Sequence, residues 1–359
     1  MNKKTIIAIV IIILLVALLG GLIYFATKDS SSTSNTNNNE TSQTGMKSPG
    51  NFGGHGGTGG NSGTSSSSIS SNATSGKNGY PALSDILSEV ESKYTQATFE
   101  DTKTGLSIEY NIFVPDNYDS SKSYPMVVFI ADSSLVGRGA NASLEQGFGG
   151  VIWATSSEQA KHESIILVPT YSEVIIDDNN GYTTSEYIEA TKNLIDEISS
   201  KYSIDTNRIY ATGQSMGGMT MLYLSSKYPD LFAAELFVSC QWKIDELQNI
   251  KTQKFFYIAA GGDQKALAGQ KDVLSYLQSK NVNVSTISDV DATLSSTEMN
   301  SKIETMLKEN NKVNMVTFTT GTVLSGSSSS GMGSSEHMSS FNYAYRIEAV
   351  RDWLFEQSK

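Results

Sequence analysis

Short apolar stretches alternate along the chain with segments whose apolar residues recur at helical spacing. Residues 125–130 (PMVVFI) and 254–260 (KFFYIAA) are typical of strands that are covered on both faces. The pattern predicts strands at 97–100, 106–114, 125–130, 163–169, 208–212, 231–238, 254–260, 282–287 and 314–320, and helices at 184–202, 216–227, 267–280 and 343–357. This alternation predicts an α/β fold, a mostly parallel sheet with helices on both of its faces.

The N-terminus carries an apolar run of a different kind. Residues 6–26 contain no charge over 21 positions, and a helix of that length covers about 30 Å, the thickness of a bilayer's hydrocarbon core. Lys3 and Lys4 precede the run, which predicts a cytoplasmic N-terminus and an extracytoplasmic remainder. We therefore expect residues 1–28 to be a signal-anchor or transmembrane segment. Cleavage as a signal peptide, which would release a secreted protein, is the alternative.

Residues 29–79 have the composition of a linker, because 40 of the 51 are Ser, Thr, Asn or Gly. Such a stretch cannot bury enough apolar surface to offset its ordering entropy, so we expect it to be disordered. Residues 80–359 remain for one globular domain. The chain has a net charge of −11, and its first 79 residues carry five lysines against Asp29 and Glu40, which leaves −14 for the domain. A domain this acidic is a poor candidate for binding nucleic acid.

The sequence Gly213-Gln214-Ser215-Met216-Gly217-Gly218 stands between a predicted strand and a predicted helix. Gly-x-Ser-x-Gly in this position is the pattern of a nucleophile elbow, a sharp turn that raises a serine hydroxyl above the end of the sheet. Glycines flank the serine because neighbouring backbone passes too close for a Cβ atom. Ser215 is therefore the predicted nucleophile.

A serine hydroxyl needs a base to take its proton, and the chain has three histidines. His55 lies in the linker, and His162 lies at the polar end of a predicted helix before a strand. His337 lies between the last predicted strand and the last predicted helix, which suits the chain order Ser, acid, His of this elbow. We predict His337 as the general base.

The base in turn needs a carboxylate to orient its ring. Asp263 follows the strand at 254–260 through two glycines and lies between Ser215 and His337 in the chain. It is the predicted acid, with Asp289 and Asp291 after the next strand as rivals. Asp263 could instead cap the helix that follows it.

Two backbone N–H groups are needed to hold the oxyanion of an acyl-transfer intermediate. One comes from the residue after the nucleophile, Met216, and the other from the loop after the third strand, at Ser133. No metal or organic cofactor is implied by this set of residues.

Three segments carry a family resemblance: 124–130 (YPMVVFI), 205–218 (DTNRIYATGQSMGG) and 344–357, which ends in DWLFEQ. They resemble the secreted "predicted peptidase" or esterase branch of the α/β-hydrolases, which is related to feruloyl esterases and polyhydroxybutyrate depolymerases. The resemblance spans residues 96–359 and implies the α/β-hydrolase fold with Ser215 as nucleophile, His337 as base and Asp263 as acid. It also implies that Gln241 and Trp242 line the acyl pocket.

The chain departs from this branch at one point, since it has Ala131-Asp132 where His-Gly or His-Asp is usual after the third strand. Backbone donors do not depend on the side chain, so an oxyanion hole can persist there. The leading hypothesis is an extracytoplasmic serine esterase acting on a small-molecule or polysaccharide-linked ester. A serine peptidase on the same triad is the first alternative, and a non-catalytic surface binding protein on a hydrolase scaffold is the second.

Overall fold

A computed structural model describes residues 78–325 and 335–359 of the chain. Residues 1–77 lie outside the described residues. They include the predicted membrane segment at 1–28, all but the last two residues of the linker predicted at 29–79, and His55. Within the two described ranges, no helix is both long and apolar enough to cross a membrane.

The described residues form a nine-stranded sheet in the order β1-β2-β4-β3-β7-β8-β9-β11-β10. All pairs from β4 to β10 along this order are parallel, while β1 and β2 add antiparallel strands at one edge. The predicted mostly parallel sheet is therefore confirmed. The strands of the sheet are β1 (Thr95–Asp101), β2 (Leu106–Phe113), β3 (Tyr124–Ile130), β4 (Ile165–Thr170), β7 (Ile204–Gln214), β8 (Ala234–Val238), β9 (Phe255–Ala260), β10 (Val284–Val290) and β11 (Val313–Phe318).

Helices cover both faces of the sheet. The helices are α1 (Leu83–Val90), α2 (Ala142–Glu145), α3 (Ser156–Lys161), α4 (Tyr187–Lys201), α5 (Met216–Lys227), α6 (Gln264–Ser279), α7 (Ser296–Leu307), α8 (Glu336–Ala344) and α9 (Glu348–Phe355). Helices α4, α5 and α6 pack in one apolar core, and α1, α7, α8 and α9 pack in the other. Successive side chains of a strand point to opposite faces, so Met126 and Val128 of β3 enter the first core and Val127 and Phe129 enter the second.

The C-terminal helix differs from its prediction. The sequence predicts one helix over 343–357, whereas the structure has α9 inside that range and α8 beginning before it, with residues 345–347 between them. His337 therefore lies within a helix rather than in a loop before one. The Arg346 guanidinium lies over the rings of Tyr80 and Tyr343, at 4.4 and 4.7 Å from their centroids. The helix is interrupted where Arg346 packs against these rings, although the interruption contains no glycine or proline.

Other predicted elements shift at their ends, and several elements were not predicted. The strand predicted at 231–238 begins at Ala234, and Asp289 lies inside β10 rather than after it. Helices α1, α2 and α7 were not predicted. A small hairpin of β5 (Ile176–Asp177) and β6 (Thr183–Thr184), which follows β4, was not predicted either.

Candidate active site

The nucleophile position is a strained turn at the carboxyl end of the long central strand β7. Ser215 has φ 51° and ψ −117°, and α5 begins at the next residue. A positive φ is uncommon for a residue with a side chain and persists only where the surroundings impose it. The Ser215 N–H donates to the Val238 carbonyl of β8 at 3.0 Å, which fixes the turn to the neighbouring strand.

The glycines of the motif are explained by three close approaches of other atoms. A Cβ at Gly217 would overlap the Ile130 carbonyl at the end of β3, and one at Gly213 would overlap the backbone of Gly217. A Cβ at Gly218 would lie 2.7 Å from the Cβ of Cys240. The elbow therefore packs so tightly on β3 and β8 that these three positions have no room for a side chain.

The structure brings Ser215, His337 and Asp263 into one hydrogen-bonded line. His337 Nε2 lies 2.8 Å from Ser215 Oγ, and His337 Nδ1 lies 2.6 Å from Asp263 Oδ2. An ionised carboxylate can only accept, so Nδ1 carries the proton and Nε2 is left to accept from the serine hydroxyl. The Asp263 side chain is 6 % exposed and that of His337 is 30 % exposed, so the acid is shielded while the base borders the cavity.

Asp263 serves two functions that the sequence presented as alternatives. Its other oxygen, Oδ1, accepts from the N–H of Ala266 at 3.2 Å and caps helix α6. The rival Asp291 instead accepts from the N–H and hydroxyl of Thr293. His162 bonds Asp352 at 2.8 Å and stacks on Phe355. The structure thus places Asp263 on His337, and the catalytic roles of the three residues stay predictions.

Ser133 and Met216 both line the cavity beside Ser215. Each is the first residue of a helix, Ser133 of the 3₁₀ turn Ser133–Leu135 and Met216 of α5. The N–H group of a first helical residue has no acceptor within its own helix. Both predicted oxyanion donors therefore lie where such a donor is available.

The Ala131-Asp132 departure is accommodated by a buried polar network. Asp132 Oδ1 accepts from the Ser134 N–H at 2.7 Å and caps the 3₁₀ turn. Gln214, next to the nucleophile, donates to Gln146 at 2.8 Å and reaches the second Asp132 oxygen at 3.4 Å. Gln146 donates to the Ser134 hydroxyl at 3.2 Å. These bonds connect the loop that carries Ser133 to the nucleophile elbow, although position 131 is alanine rather than histidine.

A cavity of about 390 Å³ opens above Ser215. Its lining combines apolar and polar side chains from several loops and helices: Ser133, Val174, Ile176, Asp177, Asp178, Asn179, Ser215, Met216, Met219, Cys240, Gln241, Asp263, Lys265 and His337. Burial raises the pKa of the Cys240 thiol, which therefore stays protonated and is a poor nucleophile.

The β5–β6 hairpin is held over this cavity by one buried carboxylate. The Asp178 side chain is 5 % exposed, and it accepts from Lys265 Nζ at 2.7 Å and from the amide of Gln241. Gln241 also lines this cavity, and its role in binding a substrate stays a prediction. Trp242 does not line the cavity: it is buried, and its indole donates to Glu246 at 2.8 Å.

A model of the family described as "Putative esterase" matches residues 102–311, more than half of the 359-residue chain. The chain belongs to this esterase family. The resemblance to esterases drawn from its sequence is confirmed. The match includes Ser215 and Asp263 and ends before His337, so only the geometry brings that histidine to the site of the esterase.

Among solved structures, the esterase is similar to one described as a thermostable esterase, with 22% identity and a TM-score of 0.59. The alignment covers 75% of this chain and 64% of that chain, so the esterase spans less than two thirds of that relative's length. At this identity the likeness shows the α/β-hydrolase fold alone.

Two weaker likenesses are to a feruloyl esterase module from Clostridium thermocellum complexed with sinapinate and to a ferulic acid esterase from Anaeromyces mucronatus. The first has 14% identity and a TM-score of 0.46, covering 72% of this chain and 88% of that chain. The second has 17% identity and a TM-score of 0.41, covering 71% and 89%. No curated protein matches the chain.

Sequence reasoning missed two groups of site residues. Asp178 lies in the run Asp177-Asp178-Asn179-Asn180-Gly181, which is a turn signal after an apolar triplet and could have indicated the hairpin. The Asp132–Gln146–Gln214 network has no local signal, because its members meet only in the folded chain.

Proposed function

We propose that this esterase hydrolyses carboxylic esters through an acyl-enzyme on Ser215, in a domain held on the extracytoplasmic side of a membrane. The observation that carries the chemical part is the position of His337, with Nε2 at 2.8 Å from Ser215 Oγ and Nδ1 at 2.6 Å from Asp263. That line joins a nucleophile, a base and an orienting carboxylate in the arrangement that acyl transfer requires.

In the acylation step, Ser215 Oγ attacks the ester carbonyl carbon while its proton passes to His337 Nε2. The carbonyl oxygen becomes an oxyanion, to which the N–H groups of Met216 and Ser133 donate. The carbon–oxygen bond to the leaving alcohol then breaks, and the alkoxide takes the proton from His337. Asp263 stabilises the imidazolium between the two transfers.

In the deacylation step, water takes the place of the alcohol. His337 accepts a proton from the water as it attacks the acyl-enzyme, and the second tetrahedral intermediate uses the same donors. Collapse returns the proton to Ser215 and releases the acid.

The cavity supports a substrate with both an apolar and a polar part. Val174, Ile176 and Met219 supply apolar surface, while Asp178 and Lys265 supply fixed polar groups. We propose a small-molecule or polysaccharide-linked ester as substrate, because such an ester presents a hydroxyl-rich leaving group beside an apolar acyl chain.

Active-site labelling tests the nucleophile. A fluorophosphonate probe should label the purified chain at Ser215 and should not label Ser215→Ala, because only an activated serine reacts with the probe at an appreciable rate. Equal labelling of the variant would rule out the proposed mechanism.

The choice between ester and amide substrates is tested separately. The kcat/KM for p-nitrophenyl acetate or butyrate should exceed that for any short peptide amide by orders of magnitude, on the order of 10³-fold or more. Comparable cleavage of amides would favour the peptidase.

The location follows from the apolar run at 6–26 and the lysines before it. The mature protein should remain in the membrane fraction after a carbonate wash, and a protease added to intact cells should degrade the hydrolase domain. Released protein whose N-terminus begins near Thr27 would show cleavage instead.

A further inference from the structure

Glu336 immediately precedes the histidine of the site, in the first turn of α8. Its half-buried carboxylate accepts two backbone hydrogen bonds, both at 2.9 Å. Oε2 accepts from the N–H of Gly262, and Oε1 accepts from the N–H of Gly321. Charge-assisted bonds of this kind are roughly twice as strong as those between neutral groups.

These two bonds join three separate segments of the chain. Gly262 is the residue before Asp263, in the turn that follows β9. Gly321 belongs to the turn after β11 and has φ 86°, a left-handed conformation that favours glycine. One side chain therefore connects the segment carrying the base with the segment carrying the acid.

The contact at Gly262 is close enough that a larger residue there would displace the Glu336 carboxylate. A Cβ there would overlap the Glu336 carboxylate, so the carboxylate lies directly against the backbone of the acid's turn. Gly262 thus has a reason beyond the turn itself, because it admits the side chain of Glu336, whereas a Cβ at Gly261 would meet Thr320 and the Phe318 carbonyl.

Other contacts among the described residues also restrain His337, and its ring is hydrogen-bonded to Asp263 and Ser215. A bond from the Ser340 hydroxyl to the His337 carbonyl, at 2.7 Å, holds the same turn from within α8. The ring itself borders the cavity and has one aromatic neighbour, Phe341, at 5.3 Å between centroids. The orientation of the ring therefore depends on where the first turn of α8 is fixed relative to Asp263.

We infer that Glu336 is a positioning residue that sets the distance and angle between His337 and Asp263. The inference rests on the proposed function, since it concerns the same base and acid. Glu336 is not among the described residues that line the cavity beside Ser215, and it acts by fixing the backbone of both segments. Misplacement of a catalytic group by about 1 Å can cost about 10²-fold in rate.

The test compares Glu336→Ala and Glu336→Gln with Glu298→Gln as a matched control. Glu298 also accepts a backbone N–H, from Ser295 at 3.1 Å, in the capping box of α7. Glu336→Ala should lower kcat by about 10- to 100-fold with KM within about twofold. The isosteric Glu336→Gln keeps one acceptor and should lose less, and it carries the test if the alanine variant does not fold.

Three readouts separate positioning from a general loss of stability. The rate of fluorophosphonate labelling of Ser215 should fall with kcat, and the acid limb of the kcat/KM profile should shift to lower pH. The low-field proton resonance of the His337–Asp263 hydrogen bond should broaden or disappear. Glu298→Gln should leave all three unchanged, even where its Tm falls as much.

Wild-type kinetics, labelling and proton resonance in both Glu336 variants would overturn the inference, whatever their Tm. The same changes in Glu298→Gln would overturn it as well, because the effect would then be general. A wild-type protein that is inactive on esters but labelled at Ser215 would contradict the proposed substrate only. The labelling rate and the proton resonance would still decide the role of Glu336.

Discussion

Replacing Glu235 by glutamine should flatten the pH dependence of stability between pH 5 and pH 8. Glu235 is 0 % exposed in β8, between Ala211 of β7 and Phe255 of β9. Within the described ranges, neither of its carboxylate oxygens has a hydrogen-bond partner. Burial raises its pKa from 4.5 to about 8, and the nearby Ser225 hydroxyl and Lys254 offset only part of that rise.

The magnitude follows from the two pKa values. Below pH 4.5 the carboxyl is protonated in the folded and unfolded states, and its contribution to stability is fully present. As the pH rises from 4.5 towards 8, the unfolded state ionises while the folded state keeps its proton. The free energy of unfolding should therefore fall by up to about 1.4 kcal/mol per pH unit, or about 4 kcal/mol between pH 5 and pH 8.

The assay is urea denaturation at pH 5, 6, 7 and 8, followed by tryptophan fluorescence. All three tryptophans, Trp153, Trp242 and Trp353, are buried, so their emission reports unfolding. Glu235→Gln has no proton to lose, so its curve against pH should lack the slope of the wild type. The absolute stability of the variant can change through packing, and the slope is the quantity to compare.

The control is Glu304→Gln, which removes an exposed carboxyl from α7. Its pH curve should run parallel to that of the wild type. Parallel curves for Glu235→Gln would refute the reasoning, because they would mean that the buried carboxyl ionises in the folded state as readily as in water.

Three further predictions concern the site. Asp263→Asn should keep the helix cap but lower kcat by about 10² to 10⁴-fold, because the amide favours the wrong histidine tautomer. The control Asp291→Asn should change kcat less than about fivefold. Steady-state kinetics on variants of matched Tm measure both effects. Lys265→Met should raise KM by about 3- to 10-fold with a smaller change in kcat, because Asp178 loses its cation and the hairpin its restraint; unchanged KM would speak against a role of the hairpin in binding. Gly217→Ala should lower stability by at least about 1–3 kcal/mol or prevent folding, and a wild-type urea midpoint would contradict the close contact at the elbow.

Parts of the fold with a strong local signal could be predicted from the sequence. Buried strands such as 254–260 are short apolar runs, and the elbow is a contiguous motif whose glycines have steric reasons within a few residues of Ser215. Helix α7 carried a usable signal that was overlooked, since Ser295 and Glu298 have the spacing of a capping box.

The remaining features depend on contacts between distant segments. Asp263 could be favoured over Asp289 and Asp291 only by its place in the chain, and its hydrogen bond to His337 forms only when the segments that follow β9 and β11 meet in the folded chain. The bond from Gly262 to Glu336 joins residues 74 positions apart. No pattern within one segment contains this information.

The strained backbone of Ser215 has a consequence for the design of inactive variants. At φ 51° any side chain costs energy that glycine does not. Ser215→Ala removes the hydroxyl but keeps that cost, whereas Ser215→Gly removes both and should raise the free energy of unfolding by up to about 1 kcal/mol. The glycine variant is therefore the better substrate trap, since it stays folded longest while a bound ester remains uncleaved. A strained backbone at a catalytic residue therefore lowers the thermal stability of the protein that carries it.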